Sequence, residues 1–268
     1  MLKINTQLIL FDLDGTLYVG DKAIPGAVDA LKRLRQHDFQ LRFLTNTTTK
    51  SQAELVSQLQ SLGFSVESHE LISAPVAASL ELQALQQKSQ RPLRIWPVVA
   101  DAIKTDFSDF ECDEKNPDVV VLGDIGDRWD LNLINKLFNV VHDGAQLIAL
   151  HKNRFWQTDE GLRADIGFFI AGLEYVCSTH ARVMGKPNSD FFQRVLDSVG
   201  ASASDTIMVG DDIDSDVGGA QALGITGCLV KTGKYRQSYF EQSDVKPNMV
   251  VESVVEFADK LLNGKFLS

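Results

Sequence analysis

The sequence predicts an α/β fold with a mainly parallel, doubly wound sheet. Short apolar runs alternate with helical patterns along most of the chain, which is typical of βαβ units. Charged residues make up 23% of the 268 residues, close to the average for folded globular proteins. A chain of this length forms one large domain or two unequal ones.

The first predicted strand covers residues 8–11, a continuous apolar run. A helix over 27–35 follows Pro25, because its apolar residues recur at helical spacing. Residues 41–44 give the next strand, and the helix after it ends at Gly63. The later predicted strands are 119–122, 147–150, 206–209 and 228–230, and the later predicted helices lie near 131–141, 165–176, 189–199, 214–223 and 253–262.

Two polar segments interrupt this alternation. They are residues 83–91 and 178–180, and we interpret them as the two linkers around an inserted domain. The expected division is a core of residues 1–79 and 181–268 and a second α/β domain of residues 80–180.

Composition narrows the class of protein further. The net charge of −10 and the pI of about 5.0 argue against a general surface for nucleic acid or anionic membrane, since both need clustered cations. No stretch has the roughly 20 apolar residues of a membrane span, and the N-terminus lacks the features of a signal peptide. Cys112, Cys177 and Cys228 fit neither a disulfide framework nor a CxxC motif. We expect a cytoplasmic protein with buried thiols.

The strongest local signal follows the first predicted strand, where Asp12 and Asp14 precede Gly15. Carboxylates at the carboxyl end of a parallel strand lie where open α/β sheets bind ligands, and the glycine allows a sharp turn. One carboxylate can serve as a nucleophile and the other as an acid or base. An Asx turn or a helix cap is the alternative interpretation of this pair.

A second acidic cluster comes after the predicted strand 206–209, in the segment Gly210–Asp216. Its four carboxylates, Asp211, Asp212, Asp214 and Asp216, repel one another unless a cation or solvent lies between them. Oxygen ligands without neighbouring His or Cys favour Mg²⁺ over Zn²⁺. An acidic helix N-terminus explains one or two of these carboxylates but not four.

Two further features fit an anionic substrate. Thr45 and Asn46 begin a hydroxyl-rich loop after the second predicted strand, where side chains and backbone N–H groups can hold phosphate oxygens. Lys186 supplies a cation between a strand and a helix. Taken singly, these are equally consistent with an ordinary loop and a solvated lysine.

In this order, the four features resemble the motifs of the haloacid dehalogenase superfamily of phosphohydrolases: DxDGT at 12–16, Thr45, Lys186 and GDDxxxD at 210–216. The resemblance implies a Rossmann-like core. The interval of about 140 residues between Asn46 and Lys186 resembles the subfamily with a large inserted α/β cap, that of NagD-type and 4-nitrophenyl phosphatases. Residues 50–55 and 230–236 are most similar to the branch of phospholysine phosphohistidine inorganic pyrophosphate phosphatase.

The resemblance also implies the roles of the core residues. Asp12 is the expected nucleophile and forms an aspartyl-phosphate, while Asp14 is the general acid and base. Lys186 neutralises the phosphate and the nucleophile, and Thr45 and Asn46 hold the phosphate. The presence of Asp14 argues against dehalogenation.

The resemblance further implies that Mg²⁺ binds the carboxylates of Asp12 and Asp211 and the backbone carbonyl of Asp14. Asp216 and Asp212 are expected in the outer shell of the metal. Asp214 is expected to be a solvated carboxylate.

The expected cap carries its own candidates, Asn153, Arg154 and Trp156, whose charge and aromatic character suit a phosphorylated leaving group. The alternative is a solvated loop whose aromatic residues pack in the cap or in a dimer interface. His151 is not needed as a base because Asp14 fills that role. A homodimer through the cap is expected by the same resemblance.

The function expected from the sequence is a Mg²⁺-dependent phosphohydrolase acting on a small phosphorylated compound. That compound is a phosphate monoester, a phosphoamino acid or pyrophosphate. A phosphotransferase or mutase of the same superfamily uses the same motifs and stays open. A non-enzymatic Asp phosphoacceptor module is a further alternative, although such modules are usually single small domains.

Overall fold

A computed structural model describes residues 7–158 and 161–264 of the chain. The strands are β1 (Leu8–Asp12), β2 (Tyr18–Val19), β3 (Lys22–Ala23), β4 (Gln40–Thr45), β5 (Leu71–Ser73), β6 (Arg94–Val98), β7 (Glu111–Cys112), β8 (Val119–Leu122), β9 (Gln146–Ala149), β10 (Phe155–Thr158), β11 (Gly161–Ala164), β12 (Arg182–Val183), β13 (Thr206–Gly210), β14 (Thr226–Val230) and β15 (Met249–Val251). The helices are α1 (Ala27–Arg35), α2 (Gln52–Ser61), α3 (Ala74–Ser89), α4 (Leu131–His142), α5 (Gly167–Cys177), α6 (Ser189–Val199), α7 (Gly219–Gln221), α8 (Gln237–Gln242) and α9 (Val254–Leu262).

The chain divides into two compact units. The first, which we call the core unit, consists of residues 7–45, 53–72 and 186–264, and the second, the cap unit, of residues 46–52 and 73–185. No helix in the described ranges is long and apolar enough to cross a membrane.

The core unit is built on a six-stranded sheet in the order β15-β14-β13-β1-β4-β5. Strand β1 lies between β13 and β4 and pairs with both in parallel, so that Phe11 lies opposite Val209 and Phe43. Buried apolar side chains pack on this sheet, and the Phe11 ring lies 6.2 Å from that of Phe43 and 6.0 Å from that of Phe257. The continuous apolar composition of β1 follows from this position, because a central parallel strand is covered on both faces.

The cap unit has a sheet of its own, in the order β12-β9-β8-β6-β7, with parallel pairing throughout. Strand β8 is fully buried, and α4 and α5 pack against each other beside it. Strands β10 and β11 form an antiparallel hairpin between β9 and α5.

The predicted α/β fold with a parallel sheet is confirmed, but three local expectations were wrong. Residues 83–91 are not a linker, since α3 runs from Ala74 to Ser89 and is capped by the Ser73 hydroxyl, which accepts a hydrogen bond from the Val76 N–H. The expected domain boundary at 79/80 therefore falls inside a helix. The larger segment of the cap unit begins instead at Ser73 and ends at Gly185.

The regular helix expected over 214–223 is replaced by a π-helical segment, Ile213–Gly218, followed by the short α7. The thiols also differ from expectation. Cys228 is buried, but Cys177 is half-buried and Cys112 is exposed, because the short strand β7 lies at the edge of its sheet.

Candidate active site

Three of the site residues predicted from the sequence lie at one edge of the core unit's sheet. Asp12 is the last residue of β1, Thr45 is the last residue of β4, and Asp211 follows the end of β13. Because these three strands are parallel neighbours, their carboxyl ends meet at the same edge, where open α/β sheets bind ligands.

A buried lysine joins two of the carboxylates. The Nζ of Lys186 donates hydrogen bonds to Asp12 Oδ1 at 2.5 Å and to Asp216 Oδ1 at 2.6 Å, and all three side chains are largely buried. Burial alone would lower the pKa of Lys186, but the two carboxylates outweigh it and hold the pKa above its ordinary value. Lys186 is therefore a fixed positive charge at the side of Asp12.

The pKa values of the three buried carboxyl groups are raised above their ordinary value. Burial raises the pKa of Asp12, although Lys186 opposes the rise, and burial raises the pKa of Asp216 to about 7 against the same lysine. The pKa of Asp211 rises to about 6, mainly through burial. One lysine does not offset three buried carboxylates, so added positive charge would stabilise their ionised forms.

The donor set fits a hard divalent cation. Asp12, Asp211 and Asp216 each offer an oxygen within 4.8 Å of the others, and Asp211 Oδ1 is buried with no hydrogen-bond partner among the described residues. Three carboxylates without His or Cys suit Mg²⁺. Asp216, expected in the outer shell, lies inside this group while it holds Lys186.

Asp211 is held by two loops. The turn after β1 places Gly15 at φ +84°, and the loop after β14 places Gly233 at φ +58°. A Cβ atom on Gly15 would lie 2.0 Å from Asp211 Oδ2, and one on Gly233 would lie 2.1 Å from it. The Lys234 N–H donates to the same oxygen at 2.7 Å. Only glycine fits at either position.

Asp14, in contrast, is exposed. The turn that carries it is closed by the Gly15 N–H, which donates to the Tyr18 carbonyl at 2.7 Å. Burial, with the charges of Asp14 and Asp12, raises the pKa of Tyr18 to about 12, so this phenol stays neutral. Inside the same turn, the Thr16 hydroxyl donates to Asp12 Oδ2 at 3.4 Å.

The remaining acidic residues have structural partners. Asp212 Oδ1 accepts hydrogen bonds from the N–H groups of Asp214 and Ser215 and caps the π-helical segment, and its Oδ2 lies 3.3 Å from Lys234 Nζ. Asp214 is exposed and accepts a hydrogen bond from the Tyr239 hydroxyl. Asp214 is therefore solvent-exposed but not unpaired.

The two residues expected to hold phosphate fall in different units. Thr45 is buried in the core unit, whereas Asn46 is the first residue of the cap unit. Within the cap unit the Asn46 amide lies against Gly185, where a Cβ atom would be 3.2 Å from Asn46 Oδ1.

The cap candidates lie at the base of the β10–β11 hairpin. The Asn153 carbonyl accepts the Gly167 N–H at 3.0 Å and the Arg154 carbonyl accepts the Asp165 N–H at 3.1 Å. Both residues are exposed. Trp156 lies in β10, and its side chain falls outside the described part of the chain. His151 is buried, 3.9 Å from Asp165, and burial lowers its pKa despite the nearby carboxylates.

Sequence reasoning did not assign the loop after β14 to the site. Thr232, Gly233 and Lys234 contact either the turn after β1 or the acidic segment. The available signal was a glycine three residues after the predicted strand 228–230, since Gly15 likewise follows a predicted strand closely.

Comparison with known proteins agrees with this geometry. A model of haloacid dehalogenase-like hydrolases matches residues 9–111, and a HAD-hydrolase-like model matches residues 183–257. The human haloacid dehalogenase-like hydrolase domain-containing protein 2 is 39% identical over 256 residues, which cover 96% of each chain. Human phospholysine phosphohistidine inorganic pyrophosphate phosphatase is 37% identical over 95% of this chain and 93% of its own.

Solved structures agree as well. A 4-nitrophenylphosphatase from Thermotoga maritima superposes with a TM-score of 0.81 at 26% identity and covers 95% of this chain and 97% of its own. A p-nitrophenyl phosphatase from Archaeoglobus fulgidus shares the fold, with a TM-score of 0.83 at 23% identity over 95% of this chain and 98% of its own.

The chain therefore belongs to the haloacid dehalogenase-like hydrolases and is an enzyme of that class. Within the class it falls in the branch of NagD-type and 4-nitrophenyl phosphatases, as its motifs predicted.

Proposed function

We propose that this protein is a Mg²⁺-dependent phosphohydrolase that acts on a small phosphorylated compound through an aspartyl-phosphate on Asp12. The observation that carries the proposal is the buried Asp12 carboxylate, which accepts a hydrogen bond from Lys186 and lies in a cluster with the carboxylates of Asp211 and Asp216. A nucleophile held by a lysine and placed beside cation-binding carboxylates suits attack on a phosphoryl group.

The chain's own residues account for both chemical steps. Asp12 attacks phosphorus, the bond to the leaving oxygen breaks, and Asp14 gives that oxygen a proton. A water molecule then attacks the phosphorus of the aspartyl-phosphate, Asp14 takes a proton from it, and phosphate leaves with Asp12 restored. The exposure of Asp14 supports this exchange of protons with substrate and water.

Charge neutralisation is divided between a side chain and a cation. Lys186 faces the developing negative charge on the phosphoryl oxygens, and Thr45 and Asn46 hold those oxygens. Asp12, Asp211 and the Asp14 carbonyl would hold Mg²⁺, with Asp216 and Asp212 around them. A bound cation would stabilise the negative charge on the phosphoryl group as it is transferred.

The range of substrates follows from the relatives. One is named for phospholysine, phosphohistidine and inorganic pyrophosphate, and two structural neighbours are named for 4-nitrophenyl phosphate. We propose the same range here: a phosphate monoester, a phosphoamino acid or pyrophosphate. Asn153, Arg154 and Trp156 are the proposed determinants of choice among them.

A phosphate-release screen over those three classes, with and without Mg²⁺, tests the proposal. Asp12→Asn is the control, because it keeps the shape of the side chain and removes the nucleophile. We expect no measurable turnover in this variant with an unchanged circular dichroism spectrum. Activity within about tenfold of wild type would rule out the covalent mechanism, since loss of a nucleophile costs far more than a factor of ten.

A further inference from the structure

Loop 232–234, which we define as Thr232, Gly233 and Lys234 after strand β14, touches the site at three points. The Thr232 hydroxyl donates a hydrogen bond to the Gly15 carbonyl, in the turn that carries the proposed nucleophile and acid. Gly233 lies against Gly15, so that a Cβ on Gly233 would be 2.5 Å from the Gly15 Cα. The Lys234 N–H donates to Asp211 Oδ2 at 2.7 Å.

These contacts distinguish the two oxygens of Asp211. Oδ2 is enclosed by Gly15 and Gly233 and accepts the Lys234 N–H, so it is engaged within the protein. Oδ1 is buried and has no partner in the part of the chain described. The carboxylate thus has one oxygen held at the loop and one buried oxygen without a hydrogen-bond partner, in a residue that offers an oxygen within 4.8 Å of those of Asp12 and Asp216.

The side chain of Lys234 adds to this arrangement. Its Nζ lies 3.3 Å from Asp212 Oδ2. The loop therefore brings a backbone donor to one acidic residue and a cation to the next.

We propose that loop 232–234 is a positioning element for cation binding: it fixes Asp211 so that only Oδ1 is free to ligate. The proposal rests on the proposed function, because it concerns the same cation site. Thr232 and Gly233 act through Asp211 and Gly15 and touch no reacting atom. Partners that orient a metal ligand contribute to cation affinity in the same way elsewhere.

Direct Mn²⁺ binding, followed by the electron paramagnetic resonance signal of the free ion, tests this without relying on activity. Gly233→Ala puts a methyl group against Asp211 Oδ2, and we expect it to weaken Mn²⁺ binding about tenfold or more in a folded protein. Gly20→Ala is the matched control: Gly20 has φ +57°, nearly the value of Gly233, but nothing within 4 Å of its Cβ position. Its Mn²⁺ affinity should equal that of wild type.

A second pair of variants covers the case in which Gly233→Ala does not fold. Thr232→Val removes the hydroxyl that donates to Gly15 and keeps the shape, whereas Thr232→Ser keeps the hydroxyl. We expect weaker Mn²⁺ binding in Thr232→Val and recovery in Thr232→Ser. Equal affinity in the two variants, or wild-type affinity in folded Gly233→Ala, would overturn the proposal.

The same binding measurements separate failure of the cation site from failure of the loop proposal. Mn²⁺ binding by wild type that is lost in Asp211→Asn supports the cation site of the proposed function. If wild type shows no such binding, the cation site and the role of loop 232–234 are both overturned. If wild type binds Mn²⁺ and the loop variants do not differ from it, only the loop proposal fails.

Discussion

Asp211 and Asp214 lie three residues apart in one acidic segment, but their surroundings differ. Asp211 is buried against two glycines and belongs to the carboxylate cluster with Asp12 and Asp216, whereas Asp214 is exposed and pairs with the Tyr239 hydroxyl. Burial, and not membership of an acidic run, separates a candidate cation ligand from a surface carboxylate.

Alanine substitution should reveal this difference. Asp211→Ala removes a proposed ligand, so we expect the Mg²⁺ concentration for half-maximal phosphate release to rise by at least about tenfold. Asp214→Ala should leave it within about twofold, because an exposed hydrogen bond contributes little. A titration of phosphate release with Mg²⁺ measures both, and equal shifts would show that the acidic residues are wrongly assigned.

The three thiols should also differ in reactivity. Cys112 is exposed, whereas burial raises the pKa of both Cys177 and Cys228 and so disfavours their reactive thiolates. We expect a single fast thiol in a native-state reaction with a chromogenic disulfide, and Cys112→Ser should remove that phase. A fast phase that persists in Cys112→Ser would contradict the burial pattern.

At the scale of elements, the π-helical segment Ile213–Gly218 explains why sequence periodicity misjudged residues 214–223. The Asp212 carbonyl accepts the N–H groups of both Asp216 and Val217, at 3.0 and 3.3 Å, which widens the first turn. Gly219 then packs so closely on Pro187 that a Cβ would lie 2.7 Å from it. The first constraint is local and the second is a tertiary contact, and hydrophobic spacing along the chain contains neither.

Strands were more predictable than this helix. The buried run before Asp12 and the run before Gly210 are continuous apolar segments, as central parallel strands require, and both are strands in the structure. Their parallel order also brings Asp12 and Asp211 to one edge. The loop after β14 was missed because its contacts with Asp211 are made by backbone: Gly233 lies against the carboxylate and the Lys234 N–H donates to it, and neither contact depends on a side chain that the sequence shows.

Asp118 anchors the start of the cap sheet. Just before β8, it accepts hydrogen bonds from Arg91 at 2.7 and 2.9 Å and from the Arg94 N–H at 2.9 Å. The hydrogen bonds from the Arg91 guanidinium are the largest cause of a pKa of Asp118 far below its usual range, although partial burial opposes this shift. A carboxyl whose pKa is depressed on folding stabilises the fold above its unfolded pKa, near 3.9, and loses that contribution as pH falls.

Asp118→Asn should therefore destabilise the protein in a pH-dependent way. We expect a loss of about 1–2 kcal/mol in the free energy of unfolding at pH 7, reduced for the exposure of Arg91, and a smaller loss near pH 3. Urea unfolding at the two pH values measures it, with the exposed Asp109→Asn as the control. A loss independent of pH would show that the ionised carboxylate is not what stabilises the sheet.

At the scale of the whole molecule, the sequence predicted an inserted unit, but not where it begins and ends. The chain passes between the units after Thr45, Gln52, Ile72 and Gly185, with no low-complexity segment to mark any of these points. The Ile72 crossing lies within β5, which continues directly into α3. A boundary inside continuous secondary structure leaves no compositional signal.

The expected homodimer through the cap stays a prediction, which sedimentation velocity at two protein concentrations checks.

The cap should determine which substrate is hydrolysed more than whether hydrolysis occurs. Arg154 is exposed at the base of the β10–β11 hairpin, and a small aryl ester needs only the residues proposed to bind and cleave its phosphate, so Arg154→Ala and Trp156→Ala should spare 4-nitrophenyl phosphate. Against the best substrate from the screen, we expect kcat/KM to fall about tenfold or more in Arg154→Ala, the loss of one charge-assisted hydrogen bond. Lys136→Ala, which removes an exposed cation from α4, controls for the change in cap charge.

Equal losses for both substrates would put Arg154 and Trp156 in the general catalytic machinery, and no loss for either would leave them as surface and packing residues. Only a selective loss agrees with a cap that recognises the leaving group.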